Sequence, residues 1–389
     1  MCGIAGFIKF KNNRNSLNEA SLKVMVSKLS HRGPDFRDFW IKNNVFLGHT
    51  RLSIIDISKN GNQPMVSHSG RFVMTFNGEI YNFKLLKIEL EKQKKSIKWR
   101  GNSDTEVFLE CIEFWGLKKT LNISRGMFAF AIWDEYEKQL SIARDRIGEK
   151  PLYYGRLNNL FIFSSELKSI KSVLGNSLDY CENGMNMMIR FGYIPAPNTI
   201  FKNIFKLSPG NYLTISNSNQ IIQSDKWFDL YKEVDRSKKN SLNYHENNLH
   251  NTLRLSVKEQ LNSDVSVGCL LSGGIDSSLI TAIMQEQSTQ KIDTFTIGFN
   301  EDEFDEAKYA KEISKILNTN HHELYIKPKM AMDVIPNLSN IYDEPFGDSS
   351  QIPTILVSKL ASKSVKVCLS GDGGDELFGG YNRYLWSTT

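Results

Sequence analysis

Two stretches of this 389-residue chain combine residue types and spacing that could do chemistry. Residues 265–278 read Val-Ser-Val-Gly-Cys-Leu-Leu-Ser-Gly-Gly-Ile-Asp-Ser-Ser. The apolar, partly β-branched run 265–271 predicts a buried strand. Gly273 and Gly274 break it, and Ile275, Leu279, Ile280, Ile283 and Met284 then recur at helical spacing. A strand that feeds a helix N-terminus through such a loop turns successive backbone N–H groups toward one point, and Ser272, Ser277 and Ser278 add hydroxyls. That is a cradle for phosphate or pyrophosphate. It lacks the Gly-Lys-Ser/Thr ending of the Walker loop and the three-glycine dinucleotide fingerprint. A Gly/Ser turn between two core elements is the blander account, and Asp276 within the loop weighs against it. The second stretch opens the chain as Met-Cys-Gly-Ile-Ala-Gly-Phe. Removal of Met1 would leave Cys2 with both a thiol and a free α-amine. An α-amine has an unperturbed pKa of ~7.7–8.0, so it can serve, directly or through water, as the base that activates the thiol. Gly3 and Gly6 lie in what reads as a strand, where a missing side chain permits close approach of a substrate.

Cys2 has companions downstream. His-Arg-Gly-Pro-Asp at 31–35, Gly-His-Thr-Arg-Leu-Ser-Ile at 48–54, Thr-Phe-Asn-Gly-Glu-Ile-Tyr-Asn at 75–82 and Asn-Ser-Asp-Thr-Glu at 102–106 follow at intervals. Taken singly they have plain readings: a surface Arg51, a hairpin turn at Asn77-Gly78, and Asp104 as a helix cap. Taken in order with Cys2 they resemble the class II glutamine amidotransferase domain, whose N-terminal cysteine hydrolyses glutamine to glutamate and ammonia. The resemblance implies that Arg51 pairs with the glutamine α-carboxylate, a task suited to a planar guanidinium. It implies an oxyanion hole from Asn77 and Gly78, and an α-ammonium site from Asp104 and Glu79. Nothing in that chemistry requires His31 or His49, for which packing or hydrogen-bonding roles suffice.

A second glycine-rich loop, Ser-Gly-Asp-Gly-Gly-Asp-Glu-Leu-Phe-Gly-Gly at 370–380, again follows an apolar run but carries carboxylates in place of a basic residue. Carboxylates beside a phosphate cradle imply Mg²⁺. The loop at 272–278 resembles the Ser-Gly-Gly-x-Asp-Ser loop of ATP pyrophosphatases, which adenylate a substrate and release pyrophosphate. The two loops together resemble the glutamine-dependent asparagine synthetase family, and the likeness runs from Cys2 to the last residue. It implies ATP contacts at Leu271, Ser272, Gly273, Gly274, Asp276, Ser277, Ile297, Ser370 and Gly371. It further implies Mg²⁺–pyrophosphate at Asp276 and Asp375, and an acyl-adenylate bordered by Asp372 and Glu376. Members of the family carry Glu where this chain has Asp372, which keeps the charge but shortens the reach. The acceptor therefore stays open between aspartate and another carboxylate, such as a uronic acid of a surface polysaccharide. Asp343 and Asp348 read equally well as acidic capping turns or as substrate contacts. With aspartate, the implied reaction sends ammonia from Cys2 along a closed route to a β-aspartyl-adenylate, giving asparagine, AMP and pyrophosphate. The family also continues through a helical region with a catalytic lysine that no residue here matches. A chain limited to glutamine hydrolysis is the remaining reading.

The elements that must hold these groups divide the chain in two. Residues 126–133, 139–145 and 160–164 alternate like paired strands, and 207–212 reads as a turn into a last strand. The resemblance and this pattern give residues 2–215 an α+β fold with stacked antiparallel sheets, of the N-terminal nucleophile hydrolase type, with structural roles only for 144–154 and 163–168. Residues 216–242 are mostly polar and read as a linker. In 243–389 strand and helix patterns alternate, with strands at 292–299, 322–326 and 365–369 and helices at 306–317 and 351–363. That predicts an α/β domain, a parallel sheet with helices on both faces and ligands beyond the carboxyl ends of its strands.

Composition narrows the classes. A net charge of +5 without a block of like charges gives no nucleic-acid arm, and the basic stretch 92–98 reads as a solvated helix end. No apolar run approaches the ~18 residues of a membrane span, and the start lacks the pattern of a signal peptide. Cys2, Cys111, Cys181, Cys269 and Cys368 are odd in number and widely spaced, which argues against disulfides and zinc and for the cytoplasm. Glutamine, ATP and an acceptor carboxylate are the expected partners, with neither nucleic acid nor membrane, and a homodimer is compatible with the resemblance.

Overall fold

The structure, a computed structural model, describes residues 1–10, 17–94, 97–157, 159–218, 220–237, 241–301 and 305–387. Residues 95 and 96 of the basic stretch, and parts of the expected linker and second domain, lie outside these. The chain forms two compact units: Met1–Lys239 with Tyr342–Gly347, and Asn240–Ile341 with Asp348–Thr389.

In the first unit the strands are, in chain order, β1 (Gly3–Lys9), β2 (Phe36–Lys42), β3 (Val45–Arg51), β4 (Met65–Val66), β5 (Phe72–Ile80), β6 (Gly126–Asp134), β7 (Gln139–Arg144), β8 (Tyr153–Leu157), β9 (Leu160–Ser164), β10 (Ile204–Lys206), β11 (Asn211–Ser216) and β12 (Ile221–Lys226). They make two six-stranded sheets, ordered β10-β8-β9-β1-β3-β2 and β12-β11-β7-β6-β5-β4. Every named pairing in them is antiparallel. Both faces of the central strands are buried, so β1 and β6 read as nearly continuous apolar runs. The two-residue period sorts the side chains between layers. Ala129, Ala131 and Trp133 of β6 join Ile4, Ile8, Leu47 and Phe163 in a core between the sheets. Phe128, Phe130 and Ile132 turn the other way, onto the helices Phe83–Gln93 and Asp104–Trp115. Ala5 and Phe7 face the helices Glu19–Ser27 and Leu167–Leu174. The result is helix, sheet, sheet, helix.

One expectation changes and one plain alternative falls. Residues 211–216 are not the last strand of this layer, because β12 pairs beside β11 along Asn211–Lys226 to Ile215–Ile221. The expected linker thus contains a strand and the helix Leu230–Ser237. Its polarity misled, since β12 is a largely exposed edge strand that needs little apolar content. Asn77-Gly78 is no hairpin turn either. Both lie inside β5, opposite Ala129 and Phe128.

In the second unit β13 (Val267–Leu270), β14 (Asp293–Phe299), β15 (Asn320–Ile326) and β16 (Val367–Leu369) form a parallel sheet ordered β15-β14-β13-β16. Val257, Cys269, Ile283 and Met284 form a core on one face, and Phe295, Val357 and Ala361 a second core. The helices Leu242–Gln260 and Ile275–Glu286 thus supply one core, and Gln351–Ala361 the other. The order steps outward from β13 to β15 and then restarts beside β13 with β16. Connections on either side of that restart leave in opposite directions and open a crevice at the strand ends. Both glycine-rich loops begin there.

Candidate active site

The first unit has a pocket lined by Cys2, Arg51, Asn77, Gly78, Glu79 and Asp104, together with Met1, Gln63, Met127 and Lys150. All six glutaminase residues expected from the sequence meet in it. The start of β1 brings Cys2 beside the end of β3, where its thiol donates to the Leu52 carbonyl at 3.7 Å and accepts from the Leu52 N–H at 3.5 Å. Arg51 closes β3 and is buried. Its Nη1 donates to the Ser58 carbonyl at 2.7 Å and to Asn62 Oδ1 at 2.8 Å, and its Nη2 to the Asp56 carbonyl. Three of its five N–H donors hold the guanidinium in this loop. Gly61 is required by that approach, since a Cβ there would fall 2.0 Å from Nη2.

Asn77 and Glu79 are two apart on β5, so both turn to the face between the sheets. Asn77 is wholly buried, yet neither its Oδ1 nor its Nδ2 finds a partner among the described residues. A buried amide left without partners costs about 1–3 kcal/mol, so this one is placed for something the fold does not supply. Gly78, between them, lets β6 close in, because a Cβ would meet the Met127 carbonyl at 2.2 Å. Asp104 is the first residue of the helix Asp104–Trp115, whose N-cap is Ser103. Its Oδ2 accepts from the Ile80 N–H at 2.8 Å, which ties the helix start to the end of β5.

Burial dominates the electrostatics. It pushes the Cys2 thiol up, against the Leu52 N–H, the nearby chain amine and Arg51, so the sulfur stays protonated until a base takes its proton. It pulls the amine of Met1 down to about 6, with Arg32 and Lys150 adding to the fall against the pull of Cys2. Burial here favours the uncharged form of an amine. Burial and then Asp104 raise Glu79 to about 7, opposed by Lys150, and burial raises Asp104 to about 6. A cation held beside them would favour the charged form of both carboxylates. His49 is a poor base, held down to about 3 by burial while its Nε2 meets the Phe76 carbonyl at 3.1 Å. His31 Nε2 pairs with Glu166 at 2.9 Å.

In the second unit the loop after β13 folds back on itself. Ser272 and Ser277 hydroxyls lie 2.9 Å apart, Ser277 Oγ also accepts from the Ser272 N–H at 3.2 Å, and Gly273 sits at φ +87°. These two hydroxyls close the loop, leaving Ser278 Oγ as the buried hydroxyl with no partner among the described residues. The helix Ile275–Glu286 begins at Gly274 without a side-chain cap, so its first N–H groups keep their capacity for an anion. The loop after β16 packs directly onto it. A Cβ on Gly371 would lie 2.7 Å from the Ser277 nitrogen, and one on Gly374 would lie 2.3 Å from Asp276 Oδ2. Leu271 is buried at the end of β13, Ile297 lies within β14, and Ser370 and Gly371 open the second loop. Asp372 and Asp375 stand in that loop, while Glu376 accepts from the Tyr381 hydroxyl at 2.8 Å.

Comparison with known proteins gives the same division. Residues 1–228 match the glutamine amidotransferase domain family and residues 248–389 the asparagine synthase family. A Methanocaldococcus jannaschii protein provisionally named glutamine-hydrolysing asparagine synthetase 2 is 37% identical, over 99% of this chain and 76% of its own length. The chain belongs to the glutamine-hydrolysing asparagine synthetase family. Asparagine synthetase 1 of Bacillus subtilis is 36% identical over 99% of this chain, which spans 59% of that protein. A relative of a different name, Amidase chry2 of Gibberella zeae, is 30% identical over 99% of this chain and 60% of its own length.

Sequence reasoning missed Lys150, which had only a structural role. It is 5% exposed, and its Nζ lies 2.8 Å from Met127 Sδ and 3.2 Å from Met1 Sδ. The stretch that returns from β7 to β8 carries two basic residues, Arg146 and Lys150, and that Lys150 is the one lining the pocket is visible only once the sheets are stacked. Asp343 resolves as a capping group of the first unit. Its carboxylate accepts from the Leu167 N–H, at the start of the helix Leu167–Leu174, at 2.5 Å, and from the Lys168 N–H at 3.2 Å. Asp348 accepts from the Ser350 N–H at 2.8 Å, also a local turn.

Proposed function

We propose that the chain carries out glutamine-dependent, ATP-driven amidation, with aspartate as acceptor and asparagine as product. The observation that carries the glutaminase half is the Asn77 amide, without a partner among the described residues, in one pocket with the Cys2 thiol. Arg51 takes the glutamine α-carboxylate, and Asp104 with Glu79 takes the α-ammonium. With Met1 removed, the amine of Cys2 accepts the thiol proton as sulfur attacks the side-chain amide. Asn77 Nδ2 and the Gly78 N–H meet the developing oxyanion, worth ~2.7–4 kcal/mol per donor in such sites. Ammonia leaves with that proton, and water releases glutamate from the thioester.

In the second unit Leu271, Ser272, Gly273, Gly274, Asp276, Ser277, Ile297, Ser370 and Gly371 border the nucleotide, and Asp372 and Glu376 the adenylate. Among the described residues no cluster of three or more His, Cys, Asp or Glu could hold a metal alone. Mg²⁺ bound to nucleotide needs only one or two protein carboxylates, the rest coming from phosphate and water. Asp276 and Asp375 fit that limited set, and the ion would neutralise charge on the departing pyrophosphate. The five cysteines are all free, in keeping with a cytoplasmic location, and the proposal extends to a homodimer.

The test is a paired assay on the full-length protein with glutamine, aspartate, ATP and Mg²⁺. Parent protein should release glutamate and aspartate-dependent pyrophosphate together. Cys2→Ala should abolish glutamate release and keep synthesis from added ammonium. Glutamate release by Cys2→Ala at the parental rate would refute the nucleophile, and pyrophosphate release indifferent to aspartate would refute the acceptor.

A further inference from the structure

Asp56 does not itself line the pocket, yet it joins the two segments that carry the recognition groups. Its backbone carbonyl receives Arg51 Nη2. Its Oδ1 receives the Ser58 N–H at 3.1 Å and hydroxyl at 2.5 Å, and its Oδ2 receives the Asn102 N–H at 2.7 Å. Asn102 is two residues before Asp104. One buried residue, held at φ +53°, therefore fastens the loop around Arg51 to the segment that delivers Asp104. The junction leaves no room for slack. A Cβ on Gly101 would fall 2.1 Å from Asp56 Oδ2. A second strut runs parallel, from Asn60 Nδ2 to the Arg100 carbonyl at 2.6 Å.

We infer that Asp56 is a positioning residue that sets the spacing between Arg51 and Asp104 in the glutamine pocket, and so selects an α-amino acid over a carboxylate lacking the amine. This rests on the glutaminase reading above. Arg51 and Asp104 come from different elements, the end of a strand and the start of a helix, so no local geometry fixes their separation. The Asp56 carboxylate does so by bonding across the gap, while its carbonyl holds the guanidinium.

The experiment uses the full-length protein with Asp56→Asn and Asp56→Gly, both compatible with positive φ, and Asn60→Ala. Glutamate release is followed from L-glutamine, and ammonia release from its analogue without the α-amine, glutaramate. Cys2 alkylation by iodoacetamide reports the intact thiol pocket. The Asp56 variants should raise KM for L-glutamine about tenfold with a smaller fall in kcat. Their preference for L-glutamine over glutaramate should shrink, and iodoacetamide should react at the parental rate. Asn60→Ala, on an exposed residue, should shift the preference in the same direction by less, and it decides the matter if the Asp56 variants do not fold. A preference unchanged in folded Asp56 variants, or in Asn60→Ala where those do not fold, overturns the proposal. Parent protein that releases no glutamate overturns the glutaminase reading itself, a different result from active parent and unaltered variants.

Discussion

The carboxylate of Asp276 occupies the space that a side chain on Gly374 would need: a Cβ there would stand 2.3 Å from Oδ2 and 3.0 Å from the Asp276 Cβ. The glycine-rich loops after β13 and β16 are therefore one surface, joined where an acid of one presses on a glycine of the other. Both loops leave neighbouring strands, Gly268 and Cys368 being register partners in β13 and β16.

Gly374→Ala should for that reason damage binding more than folding. The displaced atom is the end of a flexible side chain, so the carboxylate swings away and the backbone stays. Gly373 is the control. It sits at φ +89°, and a Cβ there would have nothing within 4 Å, so Gly373→Asn, which tolerates that conformation, meets no clash. Thermal denaturation with and without Mg²⁺–ATP should show the nucleotide shift lost in Gly374→Ala and kept in Gly373→Asn. Retention of the full shift in Gly374→Ala would remove Asp276 from the nucleotide site.

Much of this was legible in the sequence. The strands at 126–133, 139–145, 160–164, 292–299 and 365–369 all exist within a few residues of their expected ends, because apolar runs bounded by turns survive any tertiary arrangement. The six residues expected for the glutaminase site also line one pocket. What could not be read was anything set by contact between distant elements. Lys150 enters the pocket only because β7 and β8 lie in different sheets, and Asp56 matters only because Asn102 folds back against it. β12 stayed hidden because an exposed edge strand carries no apolar signature, and Asn77-Gly78 mimicked a hairpin because turn residues inside a strand look alike without the register.

Lys150 gives a pH prediction. Glu79 is raised to about 7 by burial and then by Asp104, and Lys150 opposes that rise. A carboxylate with a raised pKa is charged only above it, so affinity for the α-ammonium should be full at alkaline pH and fall as pH drops through about 7. Removing the buried cation in Lys150→Met takes away the opposing charge, and the pKa of Glu79 must go higher. The acid limb of kcat/KM for glutamine should move to higher pH by about 1 unit, at the low end of the effect of one nearby opposite charge. Profiles measured from pH 5.5 to about 9 on both proteins check it; an acid limb that stays in place or moves down would take Lys150 out of this balance.

Asn77 separates function from stability most cleanly. Its amide is fully buried on β5, and neither polar atom has a partner among the described residues. Two consequences point in opposite directions. If Nδ2 is the donor that meets the oxyanion, Asn77→Ala should lower kcat about 10²–10³-fold with KM for glutamine little changed, because the interaction arises only as charge develops. The same substitution deletes a desolvated amide that costs about 1–3 kcal/mol and breaks no hydrogen bond, so the melting temperature should hold or rise. Pocket walls from Cys2 and Glu79 remain, and water can enter the vacated space. Kinetics and calorimetry on one preparation decide it. A large loss of melting temperature would mean that the amide is a structural partner of the resting fold, and unimpaired turnover would return the oxyanion to Gly78 alone.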